Sequence, residues 1–210
     1  MTNPHLTEAV VRYGAAAKDA SLAVILVHGR GQSPAWMEEA VVQRFGHQDI
    51  AWYAPAAADS SWYPARYLEP LEANEPSLTH ALQRLESLSA QLVQDGFPYE
   101  RQVLMGFSQG ACLCSEFAWR SAHRYRALVV WTGALIGSPG AMRLPAATGV
   151  KDLPVLLSTW TEDPYVPVDS VRESARWFDA AGARVILRAE AGTEHGIRNA
   201  EIQYAQQLLA

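Results

Sequence analysis

The sequence is poor in cysteine, with only Cys112 and Cys114. These residues lie two positions apart in a predicted helix, where their side chains diverge and cannot form a disulfide bond. The disulfide framework of small secreted proteins is therefore excluded, and buried thiols in a reducing compartment are the plain interpretation. The first residues also lack the basic start and apolar core of a signal peptide. We therefore expect a cytoplasmic protein.

Positive charge is also scarce, because 17 lysine and arginine residues face 22 aspartate and glutamate residues, for a net charge of −5. A surface for nucleic acid or anionic lipid needs clustered basic side chains. The sequence also has no apolar run near the ~20 residues that span a bilayer as a helix. We therefore expect no nucleic-acid partner and no stable membrane insertion.

What the sequence does have is a regular alternation of apolar runs and helical patterns over its 210 residues. This alternation predicts a single α/β domain over residues 1–210, with a mostly parallel sheet, helices on both faces and no separate lid domain. A chain of this length buries roughly 70% of its unfolded surface and needs no metal or disulfide to hold it together. Strands are predicted over 10–13, 22–27, 50–53, 103–105, 127–131, 154–159 and 184–188. Helices are predicted after Ser33, over 78–92, over 111–119, after Asp169 and after Asn199.

The pentapeptide 106–110, Gly-Phe-Ser-Gln-Gly, lies between a predicted strand and a predicted helix. A G-x-S-x-G sequence in that position is typical of the nucleophile elbow of an α/β-hydrolase. The turn is so sharp that Ser108 must adopt strained backbone angles, and a Cβ at Gly106 or Gly110 would collide with a neighbouring element. Ser108 is therefore the candidate nucleophile. The alternative is a Gly/Ser turn that fits the pattern by chance.

A serine nucleophile needs a base and an orienting acid, which follow it in the order Asp or Glu and then His in this fold. Asp163 follows the strand 154–159 in a loop with two prolines, and Glu162 is the competing carboxylate. His195 lies between the last strand and the last helix, which makes it the candidate base. The alternatives are a turn residue for Asp163 and a solvated loop histidine for His195. The other histidines fit less well; they are His5, His28, His47, His80 and His123.

The tetrapeptide 28–31, His-Gly-Arg-Gly, follows the strand 22–27, where this fold places half of its oxyanion hole. We expect the backbone N–H groups of Arg30 and of Gln109, the residue after the nucleophile, to be the two donors. Glycines on both sides of Arg30 let the main chain approach a substrate carbonyl, so Gly31 is a candidate substrate contact.

One segment, residues 55–76, breaks the alternation with prolines, small residues and aromatic side chains. An irregular loop of this length is usually functional, and it follows a strand at the edge where open α/β sheets bind ligands. We expect Trp62 and Tyr63 to contact substrate. The alternative is a packed surface loop whose aromatic side chains cover the core.

These motifs together resemble the phospholipase/carboxylesterase family of small α/β-hydrolases, which contains bacterial carboxylesterases and acyl-protein thioesterases. The resemblance runs from about residue 20 to the end, on segments 28–31, 106–110, 132–134, 163–167 and 192–195. It implies a lidless serine hydrolase that uses no metal or cofactor and has broad activity on short or medium acyl esters or thioesters. Dienelactone hydrolases share the fold but use a cysteine nucleophile, so Ser108 counts against that activity.

The sequence departs from the family pattern at Arg30, where relatives often have an apolar residue, and in the aromatic content of the 55–76 loop. The Arg30 side chain either points to solvent or reaches the cleft rim, where it would attract an anionic substrate and disfavour a long apolar tail. The main expectation is hydrolysis of small-molecule carboxylic esters of short to medium acyl or aryl groups. An acyl thioesterase or lysophospholipase with the same residues, and a non-catalytic binding protein on this fold, are the alternatives. A homodimer is also left open.

Overall fold

A seven-stranded sheet forms the centre of the computed structural model, which describes residues 2–46 and 49–210. The strands are β1 (Val10–Gly14), β2 (Leu22–Val27), β3 (Ile50–Pro55), β4 (Gln102–Phe107), β5 (Ala127–Trp131), β6 (Pro154–Trp160) and β7 (Arg184–Glu190). Their order across the sheet is β1-β3-β2-β4-β5-β6-β7. β1 pairs antiparallel with β3, and all other neighbours are parallel. Each predicted strand is present, and the sheet is mostly parallel as expected.

Helices cover both faces of this sheet. They are α1 (Pro34–Met37), α2 (Gln43–Phe45), α3 (Ser77–Gln94), α4 (Gln109–Arg120), α5 (Val168–Ala180) and α6 (Asn199–Leu209). A π-helical turn over Glu38–Val42 joins α1 to α2. Short 3-10 turns occur at Pro4–Thr7, Ala17–Asp19, Ala58–Ser60, Leu71–Asn74, Tyr99–Arg101 and Thr148–Val150.

The core consists of two apolar layers, because alternate residues of each strand point to opposite faces. In β2, Ile25 and Val27 face the layer under α3, α4 and α5, whereas Val24 and Leu26 face the layer under α1, α2 and α6. Strands β2, β4 and β5 are buried on both faces. This burial explains why they are apolar at nearly every position and recognisable in the sequence.

Two predicted helix caps are wrong by one or two residues. Helix α5 begins at Val168 with Pro167 as its N-cap, so Asp169 lies in the first turn, where it pairs with Arg172. Helix α6 begins at Asn199 with Arg198 as its N-cap. By contrast, Ser33 caps α1 as predicted, with its hydroxyl accepting from the Trp36 N–H.

Among residues 2–46 and 49–210, no helix is long and apolar enough to cross a membrane. The parallel strands end together at one edge of the sheet. The loops that follow β2, β3, β4, β6 and β7 meet at this carboxyl edge, and the candidate site lies there.

Candidate active site

Ser108 occupies the sharp turn between β4 and α4. Its backbone angles are φ 53° and ψ −118°, a strained conformation for a residue with a side chain. The flanking glycines are required by space. A Cβ on Gly106 would lie 2.4 Å from the carbonyl oxygen of Gly110, and a Cβ on Gly110 would lie 2.3 Å from that of Val27. The turn therefore has the local geometry of a nucleophile elbow, with its hydroxyl at the N-terminus of α4.

The structure brings Ser108, His195 and Asp163 together from three separate loops. Ser108 Oγ lies 2.9 Å from His195 Nε2, and His195 Nδ1 lies 2.7 Å from Asp163 Oδ2. Both distances are within hydrogen-bonding range. A hydroxyl, an imidazole and a carboxylate in this order can transfer the serine proton to the imidazole while the carboxylate holds the ring.

The Asp163 carboxylate is fixed by its own loop as well as by His195. Its Oδ1 accepts hydrogen bonds from the backbone N–H groups of Tyr165, at 2.8 Å, and Val166, at 2.9 Å. Burial alone would raise the pKa of Asp163, but the hydrogen bonds from His195 and from these two N–H groups outweigh it and lower the pKa. Asp163 is therefore ionised at neutral pH. The competing carboxylate, Glu162, is exposed.

Two aromatic rings flank the imidazole of His195. The ring of Phe107 lies 5.0 Å from it, and that of Tyr165 lies 4.9 Å away in an edge-on arrangement. Both rings therefore pack against the imidazole that joins Ser108 to Asp163. Of the other histidines, His5 and His28 are buried in the fold, His80 and His123 lie outside the site, and His47 lies outside the described residues.

The two predicted oxyanion donors lie at the same edge as Ser108. Within the described residues, the backbone N–H groups of Arg30 and Gln109 donate no hydrogen bond to another main-chain group, and Gln109 is the first residue of α4. The N–H of Gly31 donates to Ser60 O at 2.8 Å, so it is not available to a substrate. Gly31 also does not line the cleft described next.

A cleft of about 590 Å³ opens beside Ser108 and His195. Apolar and aromatic side chains form most of its walls, including Tyr67, Phe107 and Tyr165. Tyr165 is 62% exposed and lies at the mouth. The Cys112 thiol also lines the cleft, but burial raises its pKa to about 12, so it is not a competing nucleophile. The described residues contain no cluster of His, Cys, Asp or Glu that could hold a metal ion.

The 55–76 loop, called the aromatic loop from here on, contributes to the site less directly than predicted. Trp62 is fully buried, donates its indole N–H to His28 O at 2.9 Å and does not line the cleft. Tyr63 does line the cleft, although only 2% of its surface is exposed. The loop is attached to α4 by the Gln109 side chain, whose Oε1 accepts from the Trp62 N–H at 3.0 Å and whose Nε2 donates to Tyr63 O at 2.7 Å.

Arg30 was a candidate from the sequence, whereas several other cleft residues were not predicted. The Arg30 guanidinium bonds two other residues that line the cleft, donating to Pro64 O at 2.7 Å and to Ala65 O at 2.6 Å. Arg66, which belongs to no recognisable motif, lines the same cleft. Its only signal was membership of the irregular 55–76 loop. Gln32, Tyr67 and Tyr165 also line it, each in a loop already identified as lying at this edge.

Comparison with known proteins identifies the family. Residues 8–210 match the model of the Phospholipase/Carboxylesterase family. The crystal structure of a phospholipase/carboxylesterase from Dyadobacter fermentans superposes with a TM-score of 0.84, at 33% identity over 97% of each chain. The chain therefore belongs to the phospholipase/carboxylesterase family and has an α/β-hydrolase fold, as its motifs predicted. These matches support its assignment as a serine hydrolase enzyme.

Curated relatives carry a narrower name. An acyl-protein thioesterase 1 of Schizosaccharomyces pombe is 31% identical over 172 residues, which cover 74% of each chain. An acyl-protein thioesterase 1 homolog 2 of Dictyostelium discoideum is 30% identical over 124 residues, 58% of this chain. The match spans 50% of the length of the Dictyostelium protein.

Proposed function

We propose that this protein hydrolyses carboxylic esters of short to medium acyl or aryl groups through a Ser108-His195-Asp163 triad. The observation that carries the proposal is the hydrogen-bonded chain from Ser108 Oγ to His195 Nε2 and from His195 Nδ1 to Asp163 Oδ2. These hydrogen bonds lie beside the cleft, and Ser108 itself lies in a strained elbow. This is the arrangement that activates a serine.

In the acylation step, Ser108 Oγ attacks the ester carbonyl while His195 Nε2 accepts its proton. The tetrahedral intermediate collapses, the C–O bond to the alcohol breaks, and His195 returns the proton to the leaving alcohol. Water then attacks the acyl-enzyme with His195 again as the base, which releases the acid and regenerates Ser108. Asp163 holds the imidazole tautomer and stabilises the imidazolium in both steps.

The backbone N–H groups of Arg30 and Gln109 stabilise the oxyanion in this proposal. Neither N–H has a main-chain partner among the described residues. The N–H of Gln109 also lies at the N-terminus of α4, where the positive end of the helix dipole favours an anion. Removing one donor of this kind typically costs about 3–4 kcal/mol of transition-state stabilisation. Substrate contacts then come from the cleft walls, with Tyr63 among them.

Acyl thioester hydrolysis is the second candidate, because curated relatives are named acyl-protein thioesterases. A thioester needs the same nucleophile, base and oxyanion donors, so the triad does not distinguish the two activities. A cytoplasmic location and one hydrolase domain over residues 1–210 stay predictions from the sequence.

Our first prediction is that Ser108→Ala lowers ester hydrolysis by about 10³-fold or more, because the members of a triad act as a unit. The measurement is kcat/KM on 4-nitrophenyl esters of increasing acyl length, beside acyl-CoA thioesters, for the wild-type protein and this variant. A fluorophosphonate reagent should label Ser108 in the wild-type protein and leave the variant unlabelled.

Either of two results would contradict the proposal. One is a Ser108→Ala protein that keeps a tenth or more of the wild-type rate. The other is fluorophosphonate labelling at a different residue. A rate on acyl-CoA that greatly exceeds the rate on every oxygen ester would instead favour the thioesterase candidate.

A further inference from the structure

Two arginines line the cleft beside the reacting serine. Arg30 and Arg66 both lie in its wall, and none of the described residues that line this cleft is an aspartate or glutamate. Neither guanidinium forms an ion pair with a described carboxylate. Two cationic side chains thus line one cleft that has no carboxylate in its described wall.

Both guanidinium groups are positioned by the main chain. Arg30 bonds Pro64 O and Ala65 O, and Arg66 donates to Tyr165 O at 3.3 Å. A guanidinium has five N–H donors in a fixed fork, so these bonds orient each group and leave further donors unused. Arg30 thus connects the 28–31 loop to the aromatic loop, and Arg66 connects the aromatic loop to the loop that contains Asp163.

The local charge of the cleft is opposite to that of the protein. The whole chain carries −5, yet the cleft wall has two arginines and no carboxylate. A cleft of one sign with low-dielectric walls concentrates the electrostatic field and raises the local concentration of substrates of opposite charge. Tyr67, Phe107 and Tyr165 provide such walls here.

We propose that Arg30 and Arg66 form an anion subsite. It selects esters that carry a carboxylate in addition to the ester group, on either the acyl or the alcohol side. A guanidinium recognises a carboxylate through parallel N–H···O bonds, whereas covering it with a long alkyl chain would desolvate an unpaired charge. The subsite therefore favours short or aryl carboxylate esters over long-chain fatty esters. This inference rests on the proposed ester hydrolysis at Ser108.

The test compares each anionic ester with its uncharged methyl ester. The first pair, 4-carboxyphenyl acetate and its methyl ester, has the charge on the alcohol side. The second pair, the 4-nitrophenyl hemiester of glutaric acid and its methyl ester, has it on the acyl side. For the wild-type protein at low ionic strength, we expect kcat/KM for the anionic member to exceed that of the neutral member by about fivefold or more in at least one pair. Long-range repulsion from the net charge of −5 would act in the opposite direction.

Our second prediction concerns this ratio in Arg30→Gln and Arg66→Gln. Each should lower the anionic-to-neutral ratio by about fivefold, and the ratio cancels any general effect on catalysis. Arg124→Gln is the matched control, because it removes the same charge from an exposed arginine before β5, at the opposite edge of the sheet. Its ratio should equal that of the wild-type protein. In the wild-type protein, about 0.5 M NaCl should reduce the ratio, since salt screens exposed charges.

The outcomes separate this inference from the proposed function. If Ser108-dependent hydrolysis of the neutral esters is present but the ratio is one or less in both pairs, the subsite is wrong and the esterase proposal stands. A wild-type ratio in Arg66→Gln also overturns the subsite. Hydrolysis of no ester in either pair overturns the esterase proposal and this inference with it. If a glutamine variant does not fold, the salt dependence of the wild-type ratio decides, and a ratio that salt leaves unchanged rejects the subsite.

Discussion

At the scale of single residues, the site depends on how Asp163 holds His195. The carboxylate uses one oxygen for the imidazole and the other for the N–H groups of Tyr165 and Val166. The two contacts have different consequences. The backbone bonds fix the loop, whereas the His195 contact fixes which ring nitrogen carries the proton.

Our third prediction is that Asp163→Asn lowers kcat by about 10³- to 10⁴-fold while the protein stays folded. The asparagine oxygen can still accept from Tyr165 and Val166, but its NH₂ group would face His195 Nδ1 and favour the wrong tautomer. The measurements are kcat on a 4-nitrophenyl ester and the free energy of unfolding in urea.

Glu162→Gln provides the control for this experiment, because it neutralises the adjacent, exposed carboxylate. We expect its kcat within about twofold of the wild-type value, since exposed substitutions away from such contacts have small effects. A large loss of kcat in Glu162→Gln together with an active Asp163→Asn would reverse the assignment of the acid.

At the scale of elements, the side chain of Gln109 joins helix α4 to the aromatic loop. It is 6% exposed, and it satisfies the Trp62 N–H and the Tyr63 carbonyl in the interior. The same residue therefore has two separate parts in the site. Its backbone N–H is a proposed oxyanion donor, and its side chain sets the position of the cleft wall that contains Tyr63.

Our fourth prediction is that Gln109→Met lowers the free energy of unfolding by about 1–3 kcal/mol, because it leaves the buried Trp62 N–H unpaired and removes the shorter of two hydrogen bonds to Tyr63 O, which also accepts from Ser61 Oγ at 3.1 Å. The backbone donor is retained, so a displaced cleft wall should appear mainly as a higher KM. Urea unfolding and steady-state kinetics measure the two effects. Gln91→Met, on the exposed face of α3, is the matched control and should change stability by less than about 0.5 kcal/mol. Equal stability of the two variants would show that the loop does not depend on Gln109.

The elements that the sequence predicted well are those whose signal is local. Strand β2 is apolar throughout because it is buried on both faces, and the elbow at Ser108 is specified by adjacent glycines. Asp163 and His195 were found because chain order and strand ends limited the choices. The cap of α5 was predicted at Asp169, but Pro167 is the N-cap. Asp169 lies in the first turn, where an acidic side chain is also favoured, so the sequence did not distinguish the two positions.

The position of Trp62 could not be read from the sequence, because it depends on partners far along the chain. Its N–H contacts Gln109, 47 residues away, and its indole contacts His28, 34 residues away. A tryptophan in a proline-rich loop is equally compatible with substrate contact and with burial. Of the two cleft arginines, only Arg30 was considered from the sequence, for the same reason. Arg66 lies near it only when the 55–76 loop packs against the loops that follow β2 and β6.

At the scale of the whole molecule, two buried histidines attach the 55–76 loop to distant parts of the chain. His28, at the end of β2, accepts from the Ala57 N–H through Nε2 at 3.1 Å and contacts Gly29 O through Nδ1 at 2.7 Å. His5, in the Pro4–Thr7 turn, accepts from the Ala58 N–H through Nδ1 at 3.1 Å. The ring of Trp62 lies 5.1 Å from that of His28 and 5.4 Å from that of His5.

Each of these imidazoles must be neutral to accept from a backbone N–H. Burial lowers the pKa of His28 by more than its contact with Gly29 O raises it, and burial likewise outweighs the contact of His5 with Trp62 O. The unfolded chain takes up these protons near pH 6.5, whereas the folded protein takes them up at lower pH. The stabilisation is therefore complete above about pH 6.5 and is lost as pH falls below it, by up to about 1.4 kcal/mol per pH unit for each histidine.

Our fifth prediction is that His28→Gln reduces the loss of stability between pH 7.5 and pH 5.5. Glutamine can still accept a hydrogen bond but does not titrate, so one of the two depressed histidines is removed from the proton balance. The measurement is the free energy of unfolding in urea at several pH values. The difference between the proteins at pH 8, where histidine is neutral in both states, gives the part of the effect unrelated to titration. His5→Gln serves the same purpose if His28→Gln does not fold.

Parallel stability curves for the wild-type protein and a folded variant between pH 8 and pH 5.5 would mean that the pKa of the replaced histidine is not lowered by folding. The aromatic loop would then be held equally well by a charged imidazole at that position, contrary to the hydrogen bonds that it accepts.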